Sequence, residues 1–270
     1  MTDALPPDFA DWLRLREPAD AAARSTELVD AVRDRLPARR PVVVHDLGSG
    51  TGSMARWLAP LLPGPQRWIL HDRDADLLRR AAADLVDAAD GSPVTVETRR
   101  SDITRLTTAD LADATLVTAS ALLDMLTAEE VERVVAVCAG RPALFTLSVT
   151  GRVEFTPGDP LDAEFAEAFN AHQRRTVHGR TLLGPDAVEA TVTAFTRHGI
   201  DVQVRPSPWR LGPDQAALTA EWLTGWVDAA REQRPELAGP AGAYRRRRLA
   251  EAADGRLRVI LAHTDLLAGG

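Results

Sequence analysis

Three glycines at alternate positions, Gly48, Gly50 and Gly52, follow an acidic residue, Asp46, in the stretch VVVHDLGSGTG at 42–52. A loop without Cβ atoms lets the backbone approach a ligand closely. An apolar run that turns through glycines into a helix is how α/β proteins hold a nucleotide-like ligand. The dinucleotide spacing G-x-G-x-x-G is not met: from Gly48 the third glycine falls on Ser53, and from Gly50 on Ala55. Two more carboxylates, Asp72 in WILHDRD and Asp102 in RRSDIT, end the next two apolar runs. Each alone reads as a turn or cap residue. Their joint register with the glycine loop marks one binding edge. For proton transfer the candidates are Asp124, after the fourth apolar run, and His172, in a polar stretch beyond residue 150. Asp124 also reads as a helix cap and His172 as a surface residue.

The elements that must position these residues alternate along the chain. Strands are predicted at 41–46, 68–71, 94–98, 114–119 and 143–149, with helices at 53–62 and 75–89. A short helix is expected near 108–112, and another begins at Thr127, where Thr127 and Glu130 have capping-box spacing. Such alternation predicts a mostly parallel sheet with helices on both faces. Upstream, Pro18 can open a helix running to about Leu36, with Leu28, Val29, Val32 and Leu36 as its apolar stripe. After Gly151 come helices at 162–173 and 185–198, a strand at 200–204, a helical insertion at 214–253 and a last strand at 257–263. The organisation expected is an N-terminal helical cap or lid over 1–40 and one α/β domain over 41–270. Within that domain the core is 41–150 and a polar loop or lid spans 151–185. His45 and His71 alternate with Asp46 and Asp72, so they point to the other sheet face as packed, hydrogen-bonded core histidines.

Composition removes several function classes. A net charge of −7 argues against a general nucleic-acid or membrane-surface binder. The basic block Arg245–Arg248 has acidic neighbours and reads as a solvated helix face or a partner contact. No lysine occurs, which excludes a P-loop lysine and a Schiff-base lysine. The single cysteine, Cys138, excludes an intrachain disulfide and a Cys-cluster zinc site, so no metal is expected. It reads as a buried small hydrophobe. No apolar run is long enough for a membrane span, and the acidic start MTDALPPDFADW is not a secretory signal, so the expected location is the cytoplasm.

The pattern D-x-G-x-G-x-G at Asp46–Gly52 resembles motif I of the class I S-adenosylmethionine-dependent methyltransferases, and the resemblance extends over about residues 41–150. It implies a doubly wound, Rossmann-like α/β sheet of seven strands in the order 3-2-1-4-5-7-6, the last antiparallel, with LRVILAHTDL as strand seven. Joining strands six and seven through some 40 residues departs from that family's short hairpin. The implied cofactor is S-adenosylmethionine, leaving as S-adenosylhomocysteine. This ligand has no pyrophosphate; it brings an ammonium, a carboxylate and a sulfonium, and Asp46 suits a cationic ligand. By the same resemblance Gly48, Ser49, Gly50 and Gly52 form the close-approach loop, and Asp72 accepts from both ribose hydroxyls. Arg73 stacks on the adenine, Asp102 and the Ile103 amide meet its edge, and Ala119 and Ser120 flank the methionine moiety. Of the lid arginines Arg14, Arg16 and Arg24, Arg16 is the preferred partner of the cofactor carboxylate.

Acceptor chemistry belongs to the loops after strands four and five, outside the carboxyl ends of the strands. Asp124 and His172 are the bases expected there. Arg174 or Arg175 can hold an acidic acceptor, and Trp12, Trp209, Trp222 and Trp226 can wall the site or pack in a core or dimer contact. The segment ASALLD after strand four lacks the Asn/Asp-Pro-Pro-aromatic motif of nucleobase methyltransferases, which points to a small-molecule acceptor. A homodimer stays open. So do three other readings: a different chemistry on the same cofactor, a non-catalytic cofactor-binding interaction protein, and a nicotinamide dehydrogenase with an aberrant loop.

Overall fold

A computed structural model describes residues 8–36, 41–83 and 86–269. The start MTDALPP lies outside the described residues. Two helices, α1 (Phe9–Ala23) and α2 (Thr26–Arg35), precede the first strand. The sheet core then alternates β1 (Val42–Leu47), α3 (Ser53–Leu58), β2 (Gln66–Asp72), α4 (Ala75–Ala81), β3 (Val94–Arg100), β4 (Leu116–Ser120), α5 (Ala128–Cys138) and β5 (Ala143–Thr156). Next come α6 (Asp162–Gln173), a small hairpin of β6 (Thr176–Val177) and β7 (Arg180–Thr181), α7 (Ala187–Arg197), β8 (Val202–Pro206) and β9 (Trp209–Leu211). Two long helices, α8 (Ala216–Gln233) and α9 (Ala238–Ala253), lead to β10 (Arg258–Ala268).

The sheet order is β3-β2-β1-β4-β5-β10-β8, the expected 3-2-1-4-5-7-6 path. β10 runs antiparallel to β5, β8 and β9, and the strands from β3 to β5 are parallel. Alternation decides which side each residue packs on. Leu116, Leu144 and Leu267 pack in one buried cluster with α2, α3 and α4. Their chain neighbours Val117, Phe145 and Leu266 pack in the other, with α5 and α7. With helices on both faces, β1 opens on three consecutive apolar residues, Val42–Val44, rather than on an alternating pattern.

Beneath β1 and β2 the two core histidines make a polar chain. His45 Nδ1 lies 2.9 Å from His71 Nε2, His45 Nε2 3.0 Å from Asp113, and His71 Nδ1 3.0 Å from the Ser101 hydroxyl. Burial holds the His71 imidazole down at about 4, with the neighbouring His45 acting in the same direction. Cys138 is buried and its thiol is pushed up to about 12 by that burial.

Several expectations differ in detail. The N-terminal helix is two helices, because Ser25 stops the first and caps the second by accepting from the Leu28 amide. The helix expected at 75–89 ends at Ala81, and 108–112 is turns rather than helix. Strand five is twice the expected length. β5 and β10 both continue past the carboxyl edge of the parallel strands, with register shifts along their pairing. Leu147 takes φ 57° at the kink, uncommon for a branched residue, and Asp265 holds its amide at 2.8 Å.

On this extension sits a helical cap of α6, α8 and α9, packed around Phe165, Trp226 and Tyr244. The basic block is part of it. Arg248 is buried and pairs with Asp162 and Glu251, while Arg247 pairs with Asp159 and Arg245 with Asp228. No helix among the described residues is long and apolar enough to cross a membrane.

Candidate functional site

β1 and β2 pair in register, which delivers Asp46 and Asp72 to the same edge of the sheet. The loop between β1 and α3 has Gly48, Gly50 and Gly52 in the left-handed region. At Gly48 the constraint is also steric: a Cβ there would stand 3.0 Å from Leu122. The Gly50 amide donates to Asp72 Oδ2 at 2.9 Å, and the Asp74 amide donates to Oδ1 at 2.9 Å. Asp72 therefore fixes the loop, and each of its oxygens keeps a lone pair for a further donor.

Asp46 is buried. The Thr118 hydroxyl donates to its Oδ1 at 2.7 Å, but Oδ2 has no partner. Burial raises this carboxyl to about 7, against the pull of the Thr118 hydroxyl and the Arg24 charge. The Ser49 hydroxyl, also buried, has no partner either.

Arg24 is the residue that sequence reasoning weighed and passed over. It stands at the joint between α1 and α2, and it is 3% exposed. Its guanidinium donates to the hydroxyls of Ser53 at 3.3 Å and Ser120 at 3.0 Å, and stacks over Trp57. No carboxylate among the described residues pairs with it, and its Nε has no partner. Arg16, by contrast, is committed. Its Nε and Nη2 meet Asp20 at 3.0 and 3.1 Å, and it lies over Trp209. The signal for Arg24 was the cap residue after it: Ser25 ahead of the apolar stripe breaks the helix and turns Arg24 inward.

α1 lies closed over the loop. Leu13 is within 3.2 Å of where a Gly50 Cβ would be, and Glu17 holds Arg56 with two hydrogen bonds of 2.7 Å. Asp102 accepts from the Thr104 amide and hydroxyl, with Ile103 beside it in a single 3₁₀ turn. Arg73 is exposed, its carbonyl accepting from Arg100. Ala119 is buried at the end of β4, and Ser120 bridges Arg24 and Thr146.

The two expected bases sit on different elements, with Arg175 near both. Asp124 occupies the 3₁₀ turn Leu123–Met125 directly after β4, and burial raises its carboxyl against the nearby charges of Arg16 and Arg175. His172 faces α8, where its Nε2 is 3.3 Å from Glu232 and its Nδ1 3.3 Å from Arg175. Of the acceptor-side arginines, Arg174 is tied to Asp186. One histidine went unremarked: His263 on β10 is buried beside Trp209, with an Nδ1 that has no partner. It reads in sequence only as the end of an apolar strand.

Residues 44–141 match the family described as a methyltransferase domain. No curated protein matches the chain. Among solved structures, a mycolic acid cyclopropane synthase complexed with SAH and CTAB is 13% identical, with a TM-score of 0.51 over 99% of this chain and 100% of that one. A cyclopropane-fatty-acyl-phospholipid synthase-like protein from Lactobacillus casei is 11% identical, with a TM-score of 0.52 over 98% and 94%. At these identities the likeness is one of fold.

Proposed function

We propose, from the premise that this chain carries the methyltransferase domain of the class I, S-adenosylmethionine-dependent family, that the enzyme methylates a small-molecule acceptor. Three buried polar atoms without partners, Arg24 Nε, Asp46 Oδ2 and Ser49 Oγ, surround the edge that holds Gly50 and Asp72, and this observation carries the reading. Buried polar groups are ordinarily satisfied, so a cluster of orphans asks for a ligand. The complement it asks for is an amino-acid end: a cation for Asp46 and an anion for Arg24. Asp72 offers its two oxygens to a ribose diol, and Asp102 with the Ile103 amide and Arg73 stands where the adenine is read.

When bound, S-adenosylmethionine supplies an electrophilic methyl on a sulfonium. The chain's contribution is positioning and exclusion of water. α1 and α2 act as a lid, pinned by Leu13 and by the Glu17–Arg56 pair. Asp124 is the group placed to take a proton from a neutral hydroxyl or amine, and its raised carboxyl suits that task. His172 is engaged by Glu232 and Arg175 and serves the cap. The net charge of −7 and the ASALLD segment favour a small acceptor over a nucleic acid.

Asp72→Ala tests the cofactor site. Affinity for S-adenosylmethionine should fall by about 1–3 kcal/mol, the scale for hydrogen bonds to a charged group. Calorimetry showing wild-type affinity removes Asp72 from the site.

A second test uses pH. A bound cation favours ionised Asp46, so the complex holds fewer protons than the free protein below about pH 7. Affinity should therefore rise from about pH 5.5 to 7 and then level, with proton release visible in buffers of different ionisation enthalpy. Asp46→Asn should abolish that slope. A wild-type affinity flat across this range separates Asp46 from the cofactor's cation.

A further inference from the structure

Past the carboxyl edge of the sheet, β5 and β10 carry α6 and α8 over a small cavity. Phe169, Trp222 and Trp226 line it, and its polar groups are few. Asn170 is committed, its amide donating to the Gly151 carbonyl at 2.7 Å. Two others are not: His263 and Gln173 are lining residues, and His263 Nδ1 and Gln173 Oε1 are both buried without a partner. Arg152, also at the lining, is engaged by Glu154 at 2.7 Å.

The position is right for an acceptor. Val149, opposite His263 in the ladder, lies three residues beyond Thr146, whose hydroxyl meets Ser120 at the end of β4. At roughly 3.3 Å per residue, less at the Leu147 kink, the cavity begins no more than about 10 Å beyond the edge where Arg24 and Ser120 meet. The chemistry is also specific. Burial pushes the His263 imidazole down to about 3, with Arg16 adding to it, so the ring is neutral. A buried amide oxygen and a neutral imidazole are no counter-charge for an ion, and the two arginines nearby are already paired, Arg16 with Asp20 and Arg152 with Glu154, so the site suits a neutral group. Gln173 Oε1 can only accept, so its partner must donate. Aromatic walls favour a flat apolar body. The cavity, 30 Å³ and partly open to solvent, takes a hydroxyl or amine head group rather than a whole ring, so the body of the molecule extends through its mouth.

We propose that this cavity is the head-group subsite for the methyl acceptor, a neutral molecule whose aromatic or apolar body lies against Trp222 and Phe169 and whose O–H or N–H is held by Gln173 and His263. The inference rests on the methyltransferase reading and adds the acceptor's class to it. Its rival is a buried water bridging the same two atoms.

Binding of 4-fluorophenol, followed by ¹⁹F NMR on protein saturated with S-adenosylhomocysteine, tests it. The expected result is saturable binding, weakened about tenfold by Gln173→Leu and again by His263→Phe, with 4-fluorobenzoate bound at least tenfold more weakly. S-adenosylhomocysteine affinity measured on ligand-free portions of the same proteins reports both folding and the cofactor site. Should Gln173→Leu not fold, Gln173→Met replaces it. No binding of the phenol, equal binding to wild type and the Gln173 variant, or preference for the benzoate overturns the proposal in favour of a bridging water. Failure of wild type to bind S-adenosylhomocysteine is a separate result: it removes the methyltransferase reading, and the acceptor role of the cavity with it.

Discussion

Arg248→Ala should lower the stability of the helical cap by about 3 kcal/mol, far more than any other change in the basic block. Arg248 is 1% exposed and donates to Asp162, to Glu251 at 2.8 Å and to the Pro157 carbonyl at 2.7 Å. Tyr244 donates to the same Asp162 at 2.6 Å and stacks on Phe165. Removing the guanidinium leaves Asp162 facing a low-dielectric cluster with two neutral donors, the Tyr244 hydroxyl and the Asp159 amide. The lower end of the usual 3–5 kcal/mol range applies because the Asp162 side chain keeps 19% exposure. Arg245→Ala is the contrast. Its pair with Asp228 is solvent-facing, 33% and 49% exposed, and should contribute no more than about 1 kcal/mol. Urea unfolding measures both. Hydrogen exchange adds the location: amides of α6, α8 and α9 should open in Arg248→Ala while those of β1, β2 and β4 stay protected. Equal stabilities for the two variants would mean that the buried cluster is not what holds the cap.

That cap was only half legible in the chain. The helices at 162–173 and 214–253 show in periodicity, and the sheet path follows from alternation and the motif I resemblance. What periodicity cannot carry is a strand that keeps going. VTGRVEFT reads as a break at Gly151, yet β5 continues through it because β10 supplies a partner for each of Val153–Thr156. Likewise four arginines in a row read as a solvated face. Arg248 is buried because residues 86 positions away, at Asp162, and 91 away, at Pro157, come to meet it. Local charge patterns hold no information about that. The cofactor edge was more legible, since Asp46, Gly50 and Asp72 come together through adjacent parallel strands, whose register a strand–loop–helix pattern dictates. Arg24 and His263 were not, because each depends on a non-local burial.

Arg24→Met should reduce affinity for S-adenosylmethionine by about 2–5 kcal/mol, roughly thirty-fold or more, while leaving the ligand-free protein as stable as wild type or more so. The two halves of this expectation have one cause. A guanidinium 3% exposed, held by two hydroxyls, the Ser53 carbonyl and a ring face but paired with no carboxylate, is an incompletely compensated buried charge. Its burial lowers its pKa, only partly countered by the charges of Asp20, Asp46 and Asp265. A fold keeps such a group at a loss in stability when a ligand completes it. Met has similar length and no charge, so the free protein is relieved of the desolvation penalty. The ligand then meets an apolar wall where its carboxylate needs a donor. Methylthioadenosine, which lacks the amino-acid end, provides the control: its affinity should not change. Arg16→Met discriminates further, because Arg16 is bonded to Asp20 and stacked on Trp209, so its loss should loosen α1 more than it weakens the cofactor. The reverse pattern, with affinity lost in Arg16→Met and kept in Arg24→Met, would move the carboxylate from Arg24 to Arg16. Affinity for methylthioadenosine falling in step with that for S-adenosylmethionine would place the effect of Arg24 on the lid rather than on the ligand's charge.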